Sequence, residues 1–228
     1  GTGLTPTDLV AFTSAYAQFL EEQGTPLNGG HYRVVLGRDA RISGQLLEAI
    51  VSRTLMAMGI DVIAAGLATT PTVEMAVIQS QADGGIILTA SHNPRQWNAL
   101  KLLNRKGEFL SGADGEALLA KADAGQFVFA EIDDLGTLVE AEFLNAHIQS
   151  ILDLPQVNQE AIRSKKFKVV VDAVNSVGGF AIPEMLKALG VENIICLNCV
   201  PDGNFAHNPE PIPEHLTEIC KAVVEHKA

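Results

Sequence analysis

No apolar run in this 228-residue chain approaches the about 20 residues that a membrane-spanning helix needs. Leu9 to Leu20 is broken by Thr13, Ser14 and Gln18 and has no basic residue ahead of it, so it does not read as a signal peptide. Positive charge is short: 16 Lys and Arg against 27 Asp and Glu leave a formal net charge of −11. A surface that acidic repels nucleic acid and anionic membranes, so neither is an expected partner. It also makes any local basic cluster informative, because an anionic ligand would need one. Cysteine is nearly missing. Cys196, Cys199 and Cys220 are an odd number, which predicts reduced thiols and a cytoplasmic location. Cys196 and Cys199 have C-x-x-C spacing, but there is no second pair, and His207 and His215 do not complete a zinc spacing. Cys196 closes the apolar run Ile194-Ile195, where cysteine is expected to pack as a small hydrophobe. G-x-G-x-x-G, Walker and G-x-S-x-G patterns are all missing, which argues against a nucleotide loop and a serine hydrolase.

What remains is a globular composition, 47% hydrophobic and 19% charged, long enough for one large or two ordinary domains. Thr5-Pro6-Thr7-Asp8 predicts a helix start, with Thr5 as N-cap and Leu9, Phe12, Tyr16, Phe19 and Leu20 as its apolar stripe. Strands are expected at Tyr32–Leu36, Ile60–Ala64, Gly85–Leu88 and Asn98–Leu103. Helices are expected after Ser43 as cap, from Thr70 to about Gln79, and over Glu116–Ala122. A bridging helix from about Val139 to Leu152 leads to a second unit. There, strands at Phe167–Val171 and Asn193–Leu197 flank a helix over Ala181–Leu189. Pro213 opens a last helix with Leu216, Ile219, Cys220 and Val223 on one face. This rhythm predicts an α/β protein of two three-layer α/β/α domains with mixed, partly parallel sheets, residues 1–140 and 141–228. The abrupt ends, Gly1-Thr2-Gly3 and Lys227-Ala228, predict a piece cut at domain boundaries.

The chemistry concentrates in Thr89-Ala90-Ser91-His92-Asn93-Pro94. A buried strand, Gly85 to Leu88, ends there in a polar, proline-stopped loop, which presents a hydroxyl at the mouth of a sheet. Ser91 with His92 beside it and Lys101 ten residues on is a set able to hold and pass a charged group. Period two aims Lys101 away from Leu100 and Leu102. Lys101 is a candidate proton shuttle or a purely electrostatic residue, and only the first role predicts a pH-dependent loss on Lys101→Ala. Arg38 and Arg41 stand in a Gly-Arg-Asp-x-Arg loop after a strand. Arginine forks suit phosphate oxygens, whereas Asp39 between them favours a salt bridge bracing the loop, and both roles stay open. Asn93 is a candidate phosphate contact or, with Asn98, a loop-fixing residue. Trp97, the single tryptophan, either packs or lines a pocket.

Thr89-Ala-Ser-His-Asn-Pro94 resembles the phosphoserine loop of the α-D-phosphohexomutases. The other anchors of that family follow in order: Gly37-Arg-Asp-Ala-Arg-Ile-Ser43, Trp97-Asn-Ala-Leu-Lys101, Val171-Asp-Ala-Val-Asn-Ser-Val-Gly-Gly179, Pro201-Asp-Gly203 and Asn208-Pro-Glu-Pro211. The resemblance implies a phosphotransferase that interconverts hexose 1-phosphate and hexose 6-phosphate through a hexose 1,6-bisphosphate. Ser91 would carry the phosphate and contact Mg²⁺ through it, and Lys101 and His92 would assist proton transfer. Family members also carry a Gly-Ile-Arg-Gly-like stretch before the first helix and an Asp-Gly-Asp-x-Asp-Arg metal loop in a third domain. Neither occurs here, and Ala99 stands where many members have glycine. The resemblance therefore implies the first two of four domains, inactive alone because one serine oxygen cannot hold Mg²⁺. The alternative is a non-catalytic phosphosugar-binding or scaffold protein that retains the loop.

Overall fold

A computed structural model describes residues 4–228; Gly1, Thr2 and Gly3 lie outside the described residues. The first unit runs α1 (Pro6–Glu22), β1 (Arg33–Arg38), α2 (Gly44–Ala57), β2 (Asp61–Leu67), α3 (Thr70–Gln79), β3 (Gly84–Leu88), β4 (Leu100–Leu103), α4 (Gly112–Ala124) and β5 (Leu138–Glu140). Its sheet has the order β4-β3-β1-β2-β5, parallel throughout except for the antiparallel edge strand β4. Alternation along β1 divides the core into two layers. Val34 and Leu36 pack with Tyr16, Leu20, Val51 and Leu55 of α1 and α2, while Val35 faces Val73 and Val77 of α3. This unit is a three-layer α/β/α sandwich.

Local chemistry accounts for most boundaries. The Thr5 hydroxyl accepts from the Asp8 amide and the Asp8 carboxylate accepts from the Thr5 amide, a reciprocal cap with Pro6 in the first turn. Ser111 and Asp114 cap α4 in the same way, so that helix starts four residues before Glu116. The buried Tyr16 hydroxyl donates to the Leu103 carbonyl at 2.6 Å, tying α1 to β4.

Several expectations are corrected. Residues 138–140 are not helical: Asp61 Oδ1 accepts from both the amide and the hydroxyl of Thr137 at 2.7 Å, which lays Leu138 beside Val62 as edge strand β5. The helix then covers only α5 (Leu144–Leu152). Ser43 does not cap α2 with its side chain, because its hydroxyl is taken by the Asn98 amide nitrogen at 3.0 Å. Cys196 is exposed rather than packed, and the half-buried thiol is Cys199, whose pKa burial pushes up to about 11.

The second unit has α6 (Gln159–Lys165), an element unforeseen in its polar sequence, then β6 (Lys168–Asp172), α7 (Gly178–Ala188), β7 (Asn193–Leu197) and α8 (Thr217–His226). β6 and β7 form a parallel pair, joined by α7 as a crossover that packs on both. The mixed character lies in the first sheet. Pro213 opens a short 3-10 turn rather than α8 itself, and in α8 the buried residue is Ala222, whereas Cys220 and Val223 are exposed. No helix among the described residues is long and apolar enough to cross a membrane.

Candidate active site

In the β3-β1-β2 part of the sheet the chain leaves β1 on one side and returns on the other, so the carboxyl ends of β1 and β3 flank a topological switch point, where open α/β sheets bind ligands. The Arg38–Arg41 loop follows β1, and the serine loop follows β3. The Asp39 amide donates to the Leu88 carbonyl at 3.1 Å and binds the two loops at their roots.

Asp39 is the hub. Its Oδ1 accepts from the Arg41 amide at 2.9 Å, and its Oδ2 accepts from Arg41 Nε at 3.0 Å and from the Thr89 hydroxyl at 2.7 Å. Thr89 Oγ1 in turn accepts from the Ser91 amide at 3.1 Å. Arg41 completes the frame. Nη1 donates to the carbonyls of Pro94 and Trp97, both at 2.8 Å, and Nη2 donates to those of Ser91 at 2.9 Å and Asn93 at 2.8 Å. A guanidinium has five N–H donors, and all five are used inside the protein. Bracing is therefore the role the geometry gives Arg41, whose side chain is 0% exposed; the phosphate contact expected of it is corrected, because no donor and no access remain.

For Arg38 the geometry shows bracing, with Nη1 on the Asp39 carbonyl at 3.3 Å, and leaves the phosphate contact untested. Arg38 Nε pairs with Glu48 at 2.8 Å, and its side chain lines a groove between α2 and β2 with Gln45, Glu48 and Ala64, on the far side of β1 from β3. Asn93 has its side-chain nitrogen on the Ala90 carbonyl at 2.8 Å, and Asn98 bridges Ser43 and the Ala99 amide; both fix loop geometry.

Ser91 itself is exposed and has φ 54°, a left-handed conformation uncommon for a residue with a side chain. Such a conformation costs roughly 1–3 kcal/mol and persists only where neighbours over-determine it, here through Thr89 on its amide and Arg41 on its carbonyl. The result is a rigid backbone carrying a hydroxyl in solvent. His92 Nδ1 stands 3.4 Å from Ser91 Oγ, so the two are neighbours. No carboxylate orients that ring among the described residues, and the pair is no hydrolase triad. Lys101 lies opposite Ile87 on β4, and its ammonium sits 5.5 Å from the Phe109 ring centre, bonded neither to Ser91 nor to His92. Trp97 is 58% exposed in the same loop. Among the described residues no group of three or more His, Cys, Asp or Glu side chains could hold a metal ion. The donors present do not fit Mg²⁺ by themselves.

Sequence reasoning passed over Thr89, whose hydroxyl links Asp39 to Ser91, and three second-unit residues at the same loop. Ser176 Oγ accepts from the Ala40 amide at 3.4 Å, Gly203 lies against the Ala40 carbonyl, and Phe205 covers Arg41 at 5.1 Å from ring centre to guanidinium carbon. Pro201-Asp202-Gly203 stood out in the sequence only as an anchor of the family resemblance; nothing local could show what it touches.

The α/β/α domain I model of phosphoglucomutase/phosphomannomutase matches residues 1–129, and the domain II model matches residues 145–228. This chain belongs to the phosphoglucomutase/phosphomannomutase family. A phosphoglucomutase/phosphomannomutase of Thermococcus kodakarensis is 35% identical over 227 residues, which cover 96% of this chain and 48% of that relative. A phosphoglucosamine/phosphogalactosamine mutase of Sulfurisphaera tokodaii is 32% identical over 198 residues, 86% of this chain and 43% of its own length. A crystal structure of a phosphoglucomutase/phosphomannomutase family protein from Burkholderia thailandensis superposes with TM-score 0.83 at 26% identity, over all of this chain and 48% of that one. This member of the family thus spans about half the length of the curated relatives it matches.

Proposed function

We propose that this chain carries the phosphoserine half of a hexose-phosphate mutase. Ser91 gives its phosphoryl group to a sugar phosphate, forming a hexose 1,6-bisphosphate, and takes the other phosphate back, so hexose 1-phosphate and hexose 6-phosphate interconvert. In each half-reaction one P–O bond to Ser91 breaks as one to a sugar hydroxyl forms, or the reverse, and the hydroxyl's proton goes to a base. His92, 3.4 Å from Ser91 Oγ, and Lys101 are the candidates for that proton. The carrying observation is the Ser91 hydroxyl, exposed on a left-handed backbone that Thr89 and Arg41 hold at both ends. Phosphoryl transfer depends on such positioning more than on any covalent work by the protein. A phosphate on this serine would face solvent, not a closed pocket. Mg²⁺ belongs to the proposal only with carboxylates from outside this chain, and the 228-residue chain alone is therefore expected not to turn over.

Phosphosite mapping of Ser91 in the full-length protein, after incubation with hexose 1,6-bisphosphate and Mg²⁺, tests the reading, with Ser91→Ala as control. Phosphate on Ser91, lost in the control, supports it. A folded protein that never takes up phosphate rejects it in favour of a non-catalytic phosphosugar-binding role. Conversion of glucose 1-phosphate by the 228-residue chain would refute the inactivity of this half alone.

A further inference from the structure

The serine loop is held by one buried cation, and that cation stands over an aromatic ring of the second unit. Arg41 spends its five donors in the guanidinium plane, on Asp39 and on the carbonyls of residues 91, 93, 94 and 97. The in-plane bonds leave the rest of the group to be packed, and its central carbon stands over the Phe205 ring, 5.1 Å from the ring centre. Phe205 is itself fixed. Gly203 N donates to the Asn175 carbonyl at 3.0 Å, Asn175 Nδ2 donates to the Asn204 carbonyl at 2.9 Å, and His207 pairs with Asp172 at 2.9 Å, so the segment bearing Phe205 is tied on both sides to the end of β6. Its approach to the first unit is also built in. Gly203 has φ 75°, and a Cβ there would stand 1.9 Å from the Ala40 carbonyl oxygen, so only glycine admits the contact.

We propose that Phe205 is a positioning residue for Ser91: by covering the Arg41 guanidinium it makes the geometry of the serine loop depend on the second unit. The path is short and physical. The ring restricts tilt of the guanidinium, the guanidinium fixes the Ser91 carbonyl, and that carbonyl with the Thr89-bound amide fixes φ 54° at Ser91. The second unit thereby acts on the reactive hydroxyl without touching it. The consequence for phosphoryl transfer rests on the function proposed above; the coupling does not.

The test uses the 228-residue chain and no substrate. Hydrogen exchange by mass spectrometry is read over residues 89–98, and acrylamide quenching is read at Trp97, the single tryptophan, whose carbonyl Arg41 holds at 2.8 Å. Phe205→Ala is expected to speed exchange in that segment about fivefold, the size of a partly desolvated cation–π contact, with β1 unchanged and Trp97 more readily quenched. Phe205→Tyr keeps the aromatic face and is expected to match the wild type. Phe205→Leu keeps apolar bulk without the face and is expected to follow the alanine variant, and it remains informative should Phe205→Ala fail to fold. Wild-type exchange at 89–98 in Phe205→Leu overturns the proposal, and so does a uniform rise through β1 and the serine loop together. Failure of Ser91 to take up phosphate, by contrast, would leave these exchange results standing.

Discussion

Arg41→Lys isolates what the guanidinium fork contributes. The substitution keeps the charge and most of the length, so the ion pair with Asp39 can persist, but an ammonium has three donors where the guanidinium has five. At least two of the four loop carbonyls, those of Ser91, Asn93, Pro94 and Trp97, must lose their partner. An orphaned acceptor costs about 1–3 kcal/mol. The loop residues are exposed, so water restores part of this and the lower half of that range applies. The expected loss is about 2–4 kcal/mol in total. With a urea slope of about 2–3 kcal/mol/M, the unfolding midpoint followed by Trp97 emission should fall by about 0.7–2 M. Asp39→Asn should interact strongly with it: in a double-mutant cycle the two losses should fail to add by about 1–3 kcal/mol, because both dismantle one network. If Arg41→Lys unfolds within about 0.5 kcal/mol of wild type, as an ordinary surface substitution does, the five-donor frame is not what holds the serine loop.

Other predictions rest on single contacts. The His207 ring faces acceptors at both nitrogens, the Asn208 carbonyl and the Asp172 carboxylate; burial alone would lower its pKa, but these two contacts, with Glu218 nearby, raise it above the ordinary value. Its stabilisation is therefore full below about pH 6.5 and fades as pH rises through the higher folded value. The Tm gap between wild type and His207→Gln should be widest near pH 6 and close toward pH 8, and a gap that grows with pH would contradict this. Tyr16→Phe removes the hydroxyl's bonds to the Leu103 and Gly85 carbonyls and should cost about 0.5–1.5 kcal/mol in denaturant unfolding; an unchanged midpoint would deny the hydroxyl that role. Gly203→Ala combines a positive φ with a Cβ placed on the Ala40 carbonyl and should cost at least about 2 kcal/mol; a neutral outcome in thermal unfolding would mean the two units do not meet there in solution.

What could be read from the residues was what depends on neighbours in sequence. Thr69-Thr70-Pro71 is a local helix start, and α3 spans Thr70–Gln79 as expected. The period-two assignment of Lys101 opposite to Leu100 and Leu102 holds, since Lys101 pairs with Ile87 of the α3-facing layer. β5 was hidden because its determinant, Asp61, lies 76 residues before Thr137 in the chain. The two readings of Arg41 had equal sequence support, and only folding shows whether the nearest oxygens are carbonyls or left to a ligand. For α8 the apolar stripe was visible, but which part of a stripe is covered depends on what packs there.

The cationic side chains near the loop differ in how free they are to move when Ser91 carries phosphate. Arg41 is committed to five bonds and Arg38 to Glu48. Among the described residues the Lys101 ammonium is held only by the half-exposed Phe109 ring, a contact of about 0.5–1 kcal/mol at such a site. A phosphoserine brings about −1.5 to −2 charges. Opposite unit charges about 4 Å apart attract by about 4 kcal/mol at an effective dielectric near 20, more than the ring contact supplies. Lys101 is therefore predicted to leave Phe109 when Ser91 is phosphorylated. Protons of the Lys101 side chain close to the Phe109 ring should show ring-current-shifted NMR resonances in the unmodified chain. They should return toward ordinary lysine values in a chain with phosphoserine installed at position 91. Resonances that stay shifted would show that the ammonium does not answer to the phosphate, and would remove Lys101 from the proton-transfer candidates while leaving Ser91 and His92 in place.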